Sequence, residues 1–354
     1  MTHNSFFKNL TIVIFLAVLC INFILFFTVK KYEIDTIANK EKLSFPVYDT
    51  SGISGFMRHY EAYFIDHFPY KYAYIKTLNY IKNDALKSYT ASDKVIIGKN
   101  NWLFYNASIF DSLGLNEHCG YYQWNASQLH KVVSNLKAIQ SFCQKNNIQF
   151  QLLICPSKQS IYPEYLPANY AQKQDNRYDQ LYQAFPEAIN LKNILLTYKQ
   201  TSRNLLYYKT DTHWNLLAGA IACKTLAQRL TPNFSNIITF NDISIKDFSI
   251  TSGKDLANML ALKNCYADTT YQIQFNEKNT AKIPHVLIVH DSFLESLDPG
   301  FSYLFSKITK RQLFVDGIPS PETLLKERPD VFIIELTERY KELLTWNIHP
   351  DYFK

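Results

Sequence analysis

Glycine is scarce in this chain, nine residues in 354. No glycine-rich loop follows an apolar run, so a cradle for nucleotide phosphates is missing. Cysteine is sparse and unpatterned. Cys20, Cys119, Cys143, Cys155, Cys223 and Cys265 form no CxxC and no paired Cys/His spacing, which argues against a zinc knuckle. One or two disulfides would suit an oxidising compartment, while Cys155 and Cys223 sit in apolar patterns that equally suit buried thiols. Charge is thin and scattered: 37 basic against 31 acidic residues give a formal +6. No Lys/Arg stripe stands out, so no nucleic-acid partner is expected. Internal repeats and low-complexity tracts are absent.

One long apolar run is present. Leu10 to Val29 reads LTIVIFLAVLCINFILFFTV, uncharged and with Asn22 as its strongly polar member. Twenty helical residues span roughly 30 Å, the thickness of a bilayer core. The run ends in Phe26-Phe27-Thr28-Val29-Lys30-Lys31 without small residues at a cleavage position, so an uncleaved anchor is expected rather than a signal peptide. Lys8 precedes the run, and Lys30 and Lys31 follow it. Those charges alone lean against an external domain.

Behind the anchor, residues 30–55 are polar and read as a juxtamembrane linker. Apolar spacing over 56–88, interrupted at Asp66-His67-Phe68-Pro69, predicts two short helices. Val95–Ile97 and Trp102–Tyr105 read as a hairpin. Helices are predicted over Asn125–Lys145, Arg177–Phe185 and Leu216–Leu230. Strands are predicted at Phe150–Ile154, Leu205–Tyr208, Val286–Val289 and Val331–Ile334. Short apolar strands alternating with helices indicate an α/β domain with a mainly parallel sheet.

Two segments can carry chemistry. Thr210-Asp211-Thr212-His213-Trp214-Asn215 lies at a strand–helix junction, and Val289-His290-Asp291-Ser292-Phe293 closes another apolar strand. Active sites of open α/β sheets gather at the carboxyl ends of strands. His213 could take the proton of Ser292, with Asp211 orienting the imidazole and Ser292's own N–H facing an oxyanion. The plainer readings are helix caps for Asp211 and Ser292 and a satisfied histidine at 213. A metal site from Asp211, His213, His290 and Asp291 is a further alternative.

In this order, four stretches resemble the alginate O-acetyltransferase group, the SGNH-like acetyltransferases of the AlgJ and AlgX kind, and the related DHHW proteins. They are Ile97–Tyr105, Pro156-Ser157-Lys158 with Ile161–Pro167, Asp211–Asn215, and His290–Phe293. Asp255–Leu260 and the pair Glu338-Arg339 are weaker echoes. The resemblance runs from about residue 56 to 340. It implies an α/β, SGNH-hydrolase-like three-layer fold with a mainly parallel sheet, preceded by one N-terminal transmembrane helix. Its implied organisation is a tail at 1–9, an anchor at 10–29, a linker at 30–55 and an acetyltransferase domain at 56–354. It implies a triad of Asp211, His213 and Ser292, with Asp291 as a structural partner of the nucleophile turn. Lys158, Trp214 and Trp102 are expected to face substrate, and Trp124 could join them in a sugar groove. His290 stands where glycine is commoner.

The implied activity is acetyl transfer to hydroxyls of a cell-surface or exported polysaccharide. The implied partners are that polysaccharide and a membrane-bound O-acyltransferase supplying acetyl groups, with no cofactor and no resident metal. The expected location is the cytoplasmic membrane with the domain on the extracytoplasmic, periplasmic side. A carbohydrate acetyl esterase with the same triad, and a non-catalytic sugar-binding component of an export complex, are the alternatives.

Overall fold

The computed structural model describes residues 2–29, 34–35, 40–48, 52–81, 94–106, 114–234, 240–277 and 281–339. The chain divides into two compact units, 1–86 with 258–261, and 87–257 with 262–354. Of the residues from 56 onward, the described stretch 56–81 falls in the first unit. Lys30 and Lys31, and the domain's expected end at 340–354, lie outside the described residues.

In the first unit, α1 (Thr2–Thr28) takes in the expected tail as well as the apolar run. Its segment Lys8–Thr28 is long and apolar enough to cross a membrane. Two helices follow, α2 (Gly52–Asp66) and α3 (Lys71–Tyr80), broken where Asp66-His67-Phe68-Pro69 predicts a break. Phe26 of α1 is buried against Phe64, ring centroids 4.6 Å apart. Asn22 finds a partner in the Tyr74 hydroxyl at 2.9 Å.

The second unit is built on a five-stranded, all-parallel sheet. Its strands are β3 (Gln149–Cys155), β4 (Ile189–Asn190), β7 (Ile283–His290), β8 (Phe305–Gln312) and β9 (Val331–Thr337). Their order is β8-β7-β9-β3-β4. Side chains alternate along a strand, and the two faces fill two cores. Leu153, Val286, Ile288, Val331 and Ile333 meet α7 (Leu216–Leu230). Leu152, Ile154, Leu287, Val289, Phe332 and Ile334 meet α4 (Ala126–Lys145) and α5 (Arg177–Ala184). Helix, sheet and helix make three layers, as the near-continuous apolar strand runs require of a sheet covered on both sides.

Local chemistry sets the helix ends. Asn125 and Gln128 form a reciprocal capping box for α4 at 2.9 and 3.0 Å. Asn215, not Asp211, caps α7: its side chain accepts from Leu217 N and Ala218 N. Three more helices are α6 (Leu191–Thr201), α8 (Asp298–Leu304) and α9 (Pro321–Glu327), and single short turns of helix lie at Gly114–His118, Lys158–Ile161 and Asp255–Met259. The hairpin β1 (Val95–Ile97) and β2 (Leu103–Tyr105) forms as expected. A second antiparallel hairpin, β5 (Phe240–Ser252) with β6 (Ala267–Glu277), has no counterpart in the sequence reading.

The strand expected at Leu205–Tyr208 is corrected to a single bridge between Tyr207 and Trp214. Its backbone donors are taken by side chains instead of a ladder. Leu205 N donates to the Tyr271 hydroxyl and Leu206 N to the Tyr162 hydroxyl, both at 3.0 Å.

A glycine lets α7 lie close to the turn that follows β7. A Cβ added to Gly219 would meet the Ser296 carbonyl oxygen at 2.0 Å. In an exposed helix interior, Gly→Ala gains roughly 1 kcal/mol. Here the backbone clash outweighs that gain. Gly219→Ala is expected to destabilise the chain by about 1–3 kcal/mol, the usual cost of overpacking. A urea midpoint raised by the substitution would contradict this packing account.

Candidate active site

Ser292 lies two residues past the end of β7, after Asp291, and opens a 3-10 turn over Ser292–Ser296. The turn is capped by Asp291, whose Oδ1 accepts from Phe293 N at 2.8 Å. Asp291 Oδ2 accepts from Thr337 N and Thr337 Oγ1 at 2.9 and 2.6 Å, which ties the turn to the end of β9. Asp291 N in turn donates to Glu335 Oε2 at 3.0 Å. Asp291 thus braces the turn that opens with Ser292, and Ser292 itself is exposed.

The other half comes from the loop before α7. His213 Nε2 lies 2.8 Å from Ser292 Oγ, and His213 Nδ1 lies 2.7 Å from Asp211 Oδ1. His213 N also donates to Asp211 Oδ1 at 3.0 Å, which closes a local turn between these two residues. Burial alone would raise the Asp211 carboxyl. The hydrogen bonds and charge of His213, with Lys158 behind, outweigh it and hold the carboxyl below its ordinary value. Asp211, His213 and Ser292 are therefore brought together in one hydrogen-bonded line.

Trp214 anchors this loop on the nucleophile turn. Its indole N–H donates to the Phe293 carbonyl at 3.0 Å, and the side chain is fully buried. Lys158 is buried as well, at 3 % exposure, and its ammonium donates to the carbonyls of Tyr208, Lys209 and Asp211 at 3.2, 3.0 and 2.6 Å. Burial pulls its pKa down to about 8, against the pull of Asp255, Asp268 and Asp211. Trp102 is 1 % exposed and stacks on Tyr165 with centroids 4.6 Å apart. The expectation that Lys158, Trp214 and Trp102 face substrate is corrected on this ground: all three are buried and shape the site from beneath. Trp124 is buried in the core on the opposite face of the sheet.

Four carboxylates without an assigned role in the sequence support the same residues. Asp255 accepts from Thr212 N and Thr212 Oγ1 at 2.9 and 2.8 Å. Its own carboxyl is raised by burial and then by the charge of Asp211. Asp268 on β6 accepts from Lys209 N, Thr210 N and Thr210 Oγ1. Glu338 accepts from Ser157 N and Ser160 Oγ at 3.1 and 2.7 Å and so fixes the short helix carrying Lys158. Glu335, fully buried, is pushed well above the ordinary carboxylate range by burial and then by the neighbouring charge of Asp291. Asp255 and Glu338 fall in the two weak echoes noted above. Asp268 and Glu335 carry no local signal.

Among the described residues, ligand-type atoms of Asp211, His213 and Asp255 lie within 4.8 Å of one another. Each already takes part in the hydrogen bonds described above. The alternative set with His290 and Asp291 is corrected, because both carboxylate oxygens of buried Asp291 are engaged by backbone N–H groups. A cavity of about 420 Å³ opens beside Ser292, lined by His290, Glu295, Asp298, Lys310 and Phe314 among others.

Two outcomes follow from the buried charges. Lys158→Met leaves three carbonyls without their donor and is expected to cost about 3 kcal/mol of stability. Acetyl-ester turnover should fall through kcat with KM unchanged. A change confined to KM would return Lys158 to the substrate. For Glu335, the folded chain binds a proton that the unfolded chain releases from the ordinary value of 4.5 upward. More protons are bound folded than unfolded, so stability falls as pH rises through that window. Glu335→Gln is always neutral, so its unfolding free energy should decline less than the parent's between about pH 5 and about pH 7. An identical decline would mean that Glu335 is charged in the fold.

A family model described as "SGNH hydrolase-like domain, acetyltransferase AlgX" matches residues 95–286, more than half of the chain. The match contains Lys158, Asp211 and His213 and stops short of Ser292. A probable alginate O-acetylase AlgJ from Pseudomonas putida is 23% identical over 140 residues, 39% of this chain and 34% of that protein. Its counterpart from Azotobacter vinelandii is 26% identical over 148 residues, with 39% and 34% covered. The chain thus spans about a third of the length of the curated relatives it matches. Among solved structures, the O-acetyltransferase domain of Pseudomonas putida AlgJ aligns at 18% identity and TM-score 0.47, covering 73% of this chain and 96% of that one. Pseudomonas aeruginosa AlgX aligns at 14% and 0.49, covering 73% and 65%. From the extent of the family match, the chain belongs to the SGNH hydrolase-like acetyltransferases of the AlgX family.

Proposed function

We propose that this chain is a membrane-anchored O-acetyltransferase that moves acetyl groups to hydroxyls of a cell-surface or exported polysaccharide through an acyl-enzyme on Ser292. The observation that carries the reading is the unbroken hydrogen-bonded line Asp211–His213–Ser292 at the mouth of an open cavity. Curated relatives named as probable alginate O-acetylases support the acetyl-transfer part.

The chemistry follows from the atoms present. Ser292 Oγ attacks the acetyl carbonyl of the donor while its proton passes to His213 Nε2. Asp211 stabilises the imidazolium that forms and fixes the ring's orientation. The Ser292 N–H, at the first position of its turn, has no acceptor within the turn and can face the developing oxyanion. Collapse of the tetrahedral intermediate breaks the bond to the donor group, which leaves with the proton from His213. A glycan hydroxyl then attacks acetyl-Ser292, gives its proton to His213, and departs acetylated as Ser292 regains its proton.

Segment Lys8–Thr28 supports anchoring in a membrane, and in this reading the membrane is the cytoplasmic one with the catalytic domain on the periplasmic side, because the acceptor is an exported glycan. The donor in this reading is supplied by a membrane-bound O-acyltransferase. Water in place of the glycan would make the same triad an acetyl esterase.

Ser292→Ala is expected to abolish three signals: fluorophosphonate labelling, an acetyl adduct on the intact protein after exposure to a chromogenic acetyl ester, and acetyl appearing on an oligosaccharide acceptor. Labelled enzyme that releases only acetate in the presence of acceptor would select the esterase. Activity retained in Ser292→Ala would overturn the mechanism.

A further inference from the structure

The cavity beside Ser292 carries information about the glycan. Its volume, about 420 Å³, falls within the roughly 300–1,000 Å³ of small-ligand sites. A sphere of that volume is about 9 Å across, so a group held inside lies within about one Debye length of every charge on the wall.

Those wall charges are mostly acidic. Glu295 is exposed on the turn of Ser292, and Asp298 follows it at the start of α8. Lys310 of β8 is the cation among the lining residues, and it is already paired with Asp298 at 2.6 Å. Asp291 adds a carboxylate at the cavity floor. Arg339 lies with its guanidinium 5.5 Å from the Phe293 ring and does not line the cavity. Among the described lining residues, Lys310 is thus the one Lys or Arg, and its pairing with Asp298 leaves the charge of Glu295 without an ion-pair partner there.

One aromatic side chain stands at the same wall. Phe314 is 62 % exposed. Its ring offers an apolar surface on which the C–H face of a pyranose can lie, while Gln312 and His290 beside it offer hydrogen-bonding groups for hydroxyls.

We infer that the sugar presented to Ser292 is a neutral, hydroxyl-rich residue and not a uronate. The inference rests on the acetyl-transfer reading above and narrows it. Among the described residues that line the cavity, a uronate carboxylate would approach Glu295 and the Asp298–Lys310 pair, and the one Lys or Arg there is already paired. Like charges at such separations lower affinity, and the penalty is larger in a half-enclosed cavity than in bulk water. A neutral sugar escapes that penalty and keeps the stacking surface and the hydroxyl contacts.

The test uses the full chain in detergent micelles and two ester substrates of equal length, O-acetylated xylo-oligosaccharide and O-acetylated mannuronate oligosaccharide. Total acetyl loss is measured, whether to water or to a second glycan, so the result stands for either fate of the acyl-enzyme. The expected kcat/KM ratio favours the neutral substrate by about tenfold at low salt and shrinks at high salt. Glu295→Lys is expected to narrow the ratio several-fold by improving the uronate substrate. Glu295→Gln should do so to a smaller extent and guards against a folding defect, checked by the melting midpoint. Equal or faster uronate turnover, or a ratio untouched by both variants, overturns the inference while leaving the acetyl-transfer reading intact. A parent protein whose Ser292 reacts neither with fluorophosphonate nor with either ester overturns both.

Discussion

The hydrogen bond between His213 Nε2 and Ser292 Oγ is the contact on which the proposed chemistry depends. It joins loops 79 residues apart in sequence, and several independent features converge to hold it. Strand order places the end of β7 beside the end of β9 within the parallel sheet. Gly219 lets α7 approach the 3-10 turn closely enough that no side chain fits between them. The Trp214 indole then bonds the Phe293 carbonyl directly behind the pair. Together these features hold the two loops close enough for the 2.8 Å contact between the His213 and Ser292 side chains.

Charge burial supplies the second layer of support, and the end of β9 is its centre. Glu335 and Glu338 leave that strand three residues apart and serve opposite halves of the site. Glu335 holds the backbone before Ser292. Glu338 fixes the short helix that carries Lys158, whose ammonium gathers the carbonyls on either side of Thr210 and so sets Asp211. Buried ionisable groups of this kind add little net stability, since the cost of taking them out of water cancels most of what their contacts return. Their value here is positional: removing one partner leaves oriented backbone groups without a counterpart, which costs far more than the pair contributes.

Much of the fold was legible because apolar spacing is dense in this chain. The strands Gln149–Cys155, Ile283–His290 and Val331–Thr337 are near-continuous apolar runs, and Leu216–Leu230 repeats with a helical period. Leu205–Tyr208 was misleading because tyrosine hydroxyls replace the ladder its apolar pattern suggests. The β5–β6 hairpin was missed because its polar face and two register shifts break a clean alternation. At the site, Asp211, His213 and Ser292 stood out through their local motifs. Glu335 did not, since a lone acid at the end of an apolar strand looks like an interruption until its neighbours are seen. Lys158, Trp102 and Trp214 lay in recognisable motifs, yet a motif records only that a residue matters. Burial decides whether it touches substrate or holds the residues that do.

The most direct measurement of the central contact is the rate at which a fluorophosphonate modifies Ser292 in the His213→Ala variant. The imidazole is the group placed to remove the hydroxyl proton, so the rate should fall by about 10²–10⁴-fold with the melting midpoint unchanged. A labelling rate equal to the parent's would contradict the account, because it would mean that Ser292 gains its reactivity from something other than His213.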